Sequence, residues 1–211
     1  MKYFYDPPGI VKKVFSQFQW NTINNKILLS FDDGPLPETT PDILNFLNKN
    51  RIKAVFFCIG ENIQKYPGLF DEIIKENHIA GNHTFHHKIL TKLKPEEIRN
   101  EISSFNRLLN EKFNYTAEYF RPPHGRFNLK IKKILNEEKM KPIMWSLLTT
   151  DYKNDLNLVK FTVDKYLKQS SIVVLHDSLK SKDIILNSID YILDKAGQMN
   201  YEIGEPSGCL K

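Results

Sequence analysis

Short apolar runs of β-forming residues alternate along this chain with stretches of helical periodicity, and that alternation constrains the fold more than any other feature. The runs are the first half of 27–35, then 54–59, 78–82, 119–121, 142–146 and 171–175, with 201–203 as a candidate closing strand. Between the first two, Thr39 or Thr40 can cap a helix with Pro41 at its first position and an apolar stripe of Ile43, Leu44, Phe46 and Leu47. Pro95-Glu96-Glu97 opens the longest helix, to about Phe113, with Ile98, Ile102, Phe105, Leu108 and Leu109 on its inner face. Shorter helices are expected over 61–66, 69–77, 128–138, 156–169 and 183–195. Strands alternating with helices make a parallel sheet with helices outside it, and both a barrel and an open doubly wound sheet fit the pattern. In either, chemistry gathers at the carboxyl ends of the strands. The unusual polar residues Asp32, Asp33, His83, His87, Arg121, Asp151 and His176 all fall there.

At 211 residues, 41% of them hydrophobic, the chain can bury one sizeable core. It has no repeat and no linker, so we expect one domain over 1–211, with 1–25 as an N-terminal extension packed on it through Val11, Val14, Phe15, Phe18 and Trp20. The net charge of +5 comes from scattered lysines, which describes a solvated surface and not a nucleic-acid footprint. The two cysteines, Cys58 and Cys209, suggest no disulfide framework, leave a single bond between them open, and exclude a Cys-rich structural zinc site. No apolar run reaches the length of a membrane span. Asp6, Pro7 and Pro8 stand where a signal peptide would carry its apolar region, so the expected location is the cytoplasm. Nothing in the pattern speaks to oligomeric state.

Asp32 and Asp33 sit side by side at the end of an apolar strand that Gly34-Pro35 breaks. Adjacent, partly desolvated carboxylates repel, and a nearby cation, metal or Arg, relieves them. His83 and His87 are four apart; on a helix both imidazoles would share one face and could hold one metal ion. With the Asp33 carboxylate they make a three-ligand set with an open position, as in catalytic zinc sites. His86 points elsewhere on such a helix and reads as structural.

These residues lie in motifs that together resemble the polysaccharide deacetylase family, also called the NodB-homology domain or carbohydrate esterase family four. Ser30-Phe31-Asp32-Asp33-Gly34-Pro35 is similar to its first motif, with Ser for Thr. His83-Thr84-Phe85-His86-His87 is similar to its His-Ser/Thr-x-x-His motif. Arg121-Pro122-Pro123-His124-Gly125 resembles Arg-x-Pro-Tyr-Gly, with His124 for Tyr. The stretch 145–152 lines up with the Asp-x-x-Asp-Trp region, and Val174-Leu175-His176-Asp177 with the last motif. Five motifs in family order, spanning about 27–201, are far more specific than any one of them.

The resemblance implies a distorted (β/α) barrel of about seven parallel strands with outer helices. It implies a metal-dependent hydrolase that removes N-acetyl groups from an N-acetylated sugar or polysaccharide. Asp33, His83 and His87 would hold the metal, with Zn2+ expected and Co2+ or another first-row ion compatible. Asp32 would be the general base, and Arg121 would keep it ionised. His176 would protonate the leaving amine, supported by Asp151. The backbone N–H of His124, with the metal, would stabilise the oxyanion. Leu148 and Tyr152 replace the first Asp and the Trp of the fourth motif, which with His124 leaves substrate preference open. Hydrolysis of another small-molecule amide, or a silent sugar-binding domain, are the competing readings; a binding module has no need of both Asp32 and His176.

Overall fold

The computed structural model describes residues 5–128 and 130–211. Its seven strands among the described residues are β1 (Leu28–Asp32), β2 (Val55–Cys58), β3 (Ile79–Asn82), β4 (Tyr119–Phe120), β5 (Lys141–Pro142), β6 (Leu147–Leu148) and β7 (Ile172–His176). They form one sheet in the order β5-β4-β3-β2-β1-β7-β6, and every pairing is parallel. The sheet curls into the expected distorted barrel, with helices on its outer side. The principal helices are α1 (Gly9–Val14), α2 (Thr40–Lys49), α3 (Gly60–Lys65), α4 (Pro67–Lys75), α5 (Pro95–Phe113), α6 (Lys130–Glu137), α7 (Leu156–Tyr166), α8 (Ile185–Gln198) and α9 (Pro206–Cys209).

β1 is an inner strand with all five of its residues buried, including the polar Ser30 and Asp32. Its alternate side chains serve two cores. Leu29 and Phe31 join Phe56, Ile43, Ile189 and the inner faces of the helices. Leu28 faces the inside of the curl with Val55, Phe57, Tyr119, Ile143 and Ile172, and Cys209 and Leu210 seal that layer. Inside the curl, then, apolar residues lie at the bottom, Ser30 in the middle and Asp32 at the top. This is the layered filling of a parallel barrel, a packed interior and not a channel.

Two sequence expectations need correction. Of the strand expected over 142–146 only Pro142 lies in one, β5, which pairs with β4 at one edge of the sheet; β6 begins after it and pairs with β7 at the other edge. The residues between them cross from one edge to the other because Arg121 takes the carbonyls of Ile143 and Met144, which are then lost to sheet pairing. The closing strand expected over 201–203 is only an isolated bridge, Ile27 to Ile203. The N-terminal segment packs over the seam between the two edges. Gln19 pairs with Pro142 and Met144 through its backbone, and the Tyr5 carbonyl accepts from the Leu148 N–H. Phe18 and Trp20 are buried, whereas Val14 is 62% exposed. Residues 1–4 of the expected extension lie outside the described residues.

Candidate active site

Strand register brings the site together. Asp32 pairs with His176 across β1 and β7, and with Phe57 across β1 and β2. Cys58 pairs with Asn82, and Asn82 with Phe120. The residues that end these strands or follow them, Asp33, His83 and Arg121, therefore emerge side by side at one rim.

Arg121 turns inward. It is fully buried, its guanidinium lies 4.0 Å from the Phe57 ring centroid, and each of its three nitrogens donates. Nη1 donates to Asp32 Oδ1 at 2.6 Å and to Ser30 Oγ at 2.9 Å. Nε and Nη2 donate to the Ile143 and Met144 carbonyls at 3.2 and 3.0 Å. Burial works to raise the pKa of Asp32, but the adjacent charge of Arg121 outweighs it and holds the carboxyl below its usual range.

The segment 83–87 is not helical, contrary to the expectation from its spacing. It is an irregular loop whose Thr84 and His87 have positive φ, 70° and 54°. The loop, and not a helical face, brings the His83 and His87 rings to 4.9 Å between centroids. Asn82 shapes it, accepting from the Thr84 N–H while donating to the Ile102 carbonyl and Asn106 of α5. Glu101, buried on the inner face of α5, accepts from the backbone N–H and Nδ1 of His86 and pairs with Lys88 at 3.0 Å. His86 is thus structural, as expected. The sequence reading missed Glu101, although a carboxylate on the apolar stripe between Ile98 and Ile102 was a usable signal.

Asp33, His83 and His87 present ligand atoms within 4.8 Å of one another. His83 Nδ1 must carry the proton, since it stands 2.8 Å from the Arg121 carbonyl, and Nε2 is left with its lone pair toward Asp33 Oδ1 at 3.6 Å. His87 Nε2 lies 3.2 Å from the same oxygen. Burial above all lowers both imidazoles to about 4, so both are neutral, the form a metal takes. Two imidazole nitrogens and one carboxylate oxygen with a fixed tautomer fit a divalent first-row ion. Asp33 has φ 81°, and the Asn62 side chain holds its carbonyl at 2.7 Å.

His176 ends β7. Its Nδ1 is 2.7 Å from Asp151 Oδ1, and its ring meets that of Tyr152 edge-on at 4.9 Å. Burial works to lower its pKa, but the Asp151 carboxylate raises it to about 9. Asp151 is itself buried and accepts from Thr149 Oγ1 at 2.9 Å. Tyr152, at the position of the motif's Trp, therefore lies against the His176 imidazole; Leu148 is buried in β6. His124 follows Pro123 in a left-handed turn, φ 57°, with its ring 4.5 Å from that of His87. The next residue must be glycine: Gly125 has φ +63°, and a Cβ there would overlap the Trp145 ring. The structure thus gathers all the residues singled out from the sequence around one rim.

Comparison with known proteins agrees with this geometry. A family model described as polysaccharide deacetylase matches residues 20–143. A peptidoglycan-N-acetylglucosamine deacetylase of Bacillus cereus is 38% identical over 71% of this chain and 54% of its own length. The chain thus spans about half of that relative. A second B. cereus protein of the same name is 30% identical over 91% of this chain and 92% of its own. The crystal structure of the Bc1960 peptidoglycan N-acetylglucosamine deacetylase superposes with a TM-score of 0.87 at 26% identity, covering 97% of both chains. The chain belongs to the polysaccharide deacetylase family, carbohydrate esterase family four.

Proposed function

We propose that this chain is an N-deacetylase that hydrolyses the acetamido group of an N-acetylated amino sugar in a glycan, releasing acetate. The observation that carries this reading is one pairing: Asp32 and His176 face each other in register on β1 and β7, each with its own buried partner of opposite charge. An amide leaves poorly unless its nitrogen is protonated, so hydrolysis needs a base and a separate acid. A divalent ion, zinc by the donor set, held by Asp33, His83 and His87 would polarise the acetyl carbonyl and make water more acidic. Asp32, ionised beside Arg121, takes the proton of the attacking water. The backbone N–H of His124 donates to the developing oxyanion. His176, protonated at neutral pH, gives its proton to the departing amine while Asp151 fixes its tautomer and orientation. The names of the relatives support a peptidoglycan-type amino sugar as the substrate class.

The test is acetate release by zinc-loaded protein from peptidoglycan fragments, chitooligosaccharides and nucleotide sugars. Release from at least one N-acetyl sugar, lost in both Asp32→Asn and His176→Ala, is expected. Fully metal-loaded protein that releases acetate from none of the three overturns the reading.

A further inference from the structure

The carboxyl of Asp177 has no part in the chemistry above, yet it is fully buried one residue beyond His176. No cation reaches it among the described residues. Its partners are two hydroxyls: Thr39 Oγ1 donates to Oδ1, and Thr40 Oγ1 donates to Oδ2 at 2.6 Å. Thr40 Oγ1 also accepts from the Leu36 N–H at 2.7 Å, so this hydroxyl ties Asp177 to the turn before α2. Thr39 sits at the N-cap position of α2 but does not cap the helix with its side chain.

Three pieces of the site meet at this carboxyl. Its own backbone N–H donates to the Asp32 carbonyl at 2.8 Å and carries the β1–β7 ladder one step past the Asp32–His176 pair. Gly34, the residue after Asp33, packs so closely on it that a Cβ at position 34 would overlap Asp177 Oδ2. The turn from Pro35 to the start of α2 wraps around it through Leu36, Thr39 and Thr40. A buried carboxyl whose only partners are hydroxyls costs folding stability relative to an apolar residue of similar size. What it supplies instead is shape and two directed bonds at the junction of the base-bearing and acid-bearing strands.

We propose that Asp177 is a positioning residue for the amide hydrolysis, setting through Gly34 and the Thr39–Thr40 anchor where the Asp32–Asp33 arm stands relative to His176. The role rests on the deacetylase reading for its chemistry and on packing for its geometry. Because it depends on shape and directed bonds, an amide of the same shape serves in place of the carboxyl. A displacement of about 1 Å at reacting groups costs on the order of 100-fold in rate.

The experiment compares Asp177→Ala, Asp177→Asn and the milder Thr39→Val, each loaded with Zn2+ for turnover and with Co2+ for absorption. Asp177→Ala is expected to lower kcat at least about 10-fold at full metal occupancy, with KM within about twofold. Asp177→Asn is expected to restore most of that loss, and Thr39→Val to fall between. The Co2+ absorption bands and the His176 imidazole NMR signals are expected to move in Asp177→Ala and to return toward wild type in Asp177→Asn. These two spectra need no turnover. Shifted spectra in a protein whose wild type releases no acetate overturn the deacetylase reading and leave the positioning role standing. Unshifted spectra, unchanged kcat with only a lowered Tm, or an Asp177→Asn variant as impaired as Asp177→Ala overturn the positioning role. Where Asp177→Ala does not fold, Thr39→Val decides by the same readouts.

Discussion

Asp151 grips His176 twice: its Oδ1 stands 2.7 Å from the ring Nδ1 and its Oδ2 accepts the backbone N–H of the same residue at 2.7 Å. One carboxylate thus sets both the strand end and the imaginary line along which the imidazole Nε2 faces the rim. The other end of the proton path is held the same way, since Arg121 bonds Asp32, Ser30 beneath it and the two carbonyls beside it. Asp32 and His176 are each oriented by a buried partner that itself has little freedom, so the proposed hydrolysis would need little reorganisation at the moment of reaction.

The Asp151–His176 pair should be visible in both activity and stability. His176→Ala should abolish acetate release while ligand binding persists. Asp151→Asn should reduce kcat less and move the alkaline limb of the pH profile to lower pH, because the imidazole loses the charge that raises it to about 9. The sign for stability follows from a folded pKa above the unfolded value of 6.5. The stabilisation is full below about pH 6.5 and is lost as pH rises through about 9. In metal-free protein, the Tm deficit of Asp151→Asn should therefore be largest below pH 6.5 and shrink above pH 9. Melting curves across that range, with kcat against pH, check it; a deficit that grows with pH contradicts the assignment.

Asp32→Asn should keep its metal and lose hydrolysis by about 10²–10⁴-fold, the usual contribution of a general base. Asp32 is bonded to Arg121 and its nearer approach to His83 Nε2 is 3.9 Å, longer than either Asp33 distance. Elemental analysis beside turnover decides; loss of the ion in this variant would exchange the roles of the two aspartates.

Substituting Asp33, His83 or His87 by Ala should remove stoichiometric zinc, and a chelator should remove activity that returns with Zn2+ or Co2+. A crystal soaked in zinc should place the ion about 2.0–2.2 Å from one atom of each side chain. An ion seated elsewhere rejects the site.

Glu101→Ala should loosen the loop that carries His83 and His87, since it removes both bonds to His86 and the ion pair to Lys88. Groups bonded directly to metal ligands contribute about 10–100-fold in affinity; Glu101 acts one step further out, through His86, so a loss of about 10-fold is the expected result by competition with a chelator. Unchanged zinc affinity with only a lowered Tm would confine Glu101 to stability.

The local pattern of the chain determined much of this protein. Short apolar runs marked β1, β2, β3 and β7, and the 3.6-residue stripe marked α5 with both of its ends, because those signals need only neighbouring residues. The placing of Asp32, Asp33, His83, Arg121 and His176 at one rim followed from their positions at strand ends in a parallel sheet. The tertiary structure alone decided how they meet. Arg121 and Asp32 are 89 residues apart, and nothing in the sequence around Arg121 says that it turns into the barrel over Phe57. The imidazoles of His83 and His87 converge through left-handed loop backbone held by Glu101 and Asn82, where their spacing of four suggested a helix. The segment 142–146 left one sheet edge for the other because Arg121 claimed its carbonyls. Glu101 interrupts the apolar stripe of α5 and Asp177 follows His176 in the last motif, but neither position names the partner of the buried carboxyl. Their roles rest on contacts 15 and 138 residues distant in sequence, and local periodicity carries no record of such contacts.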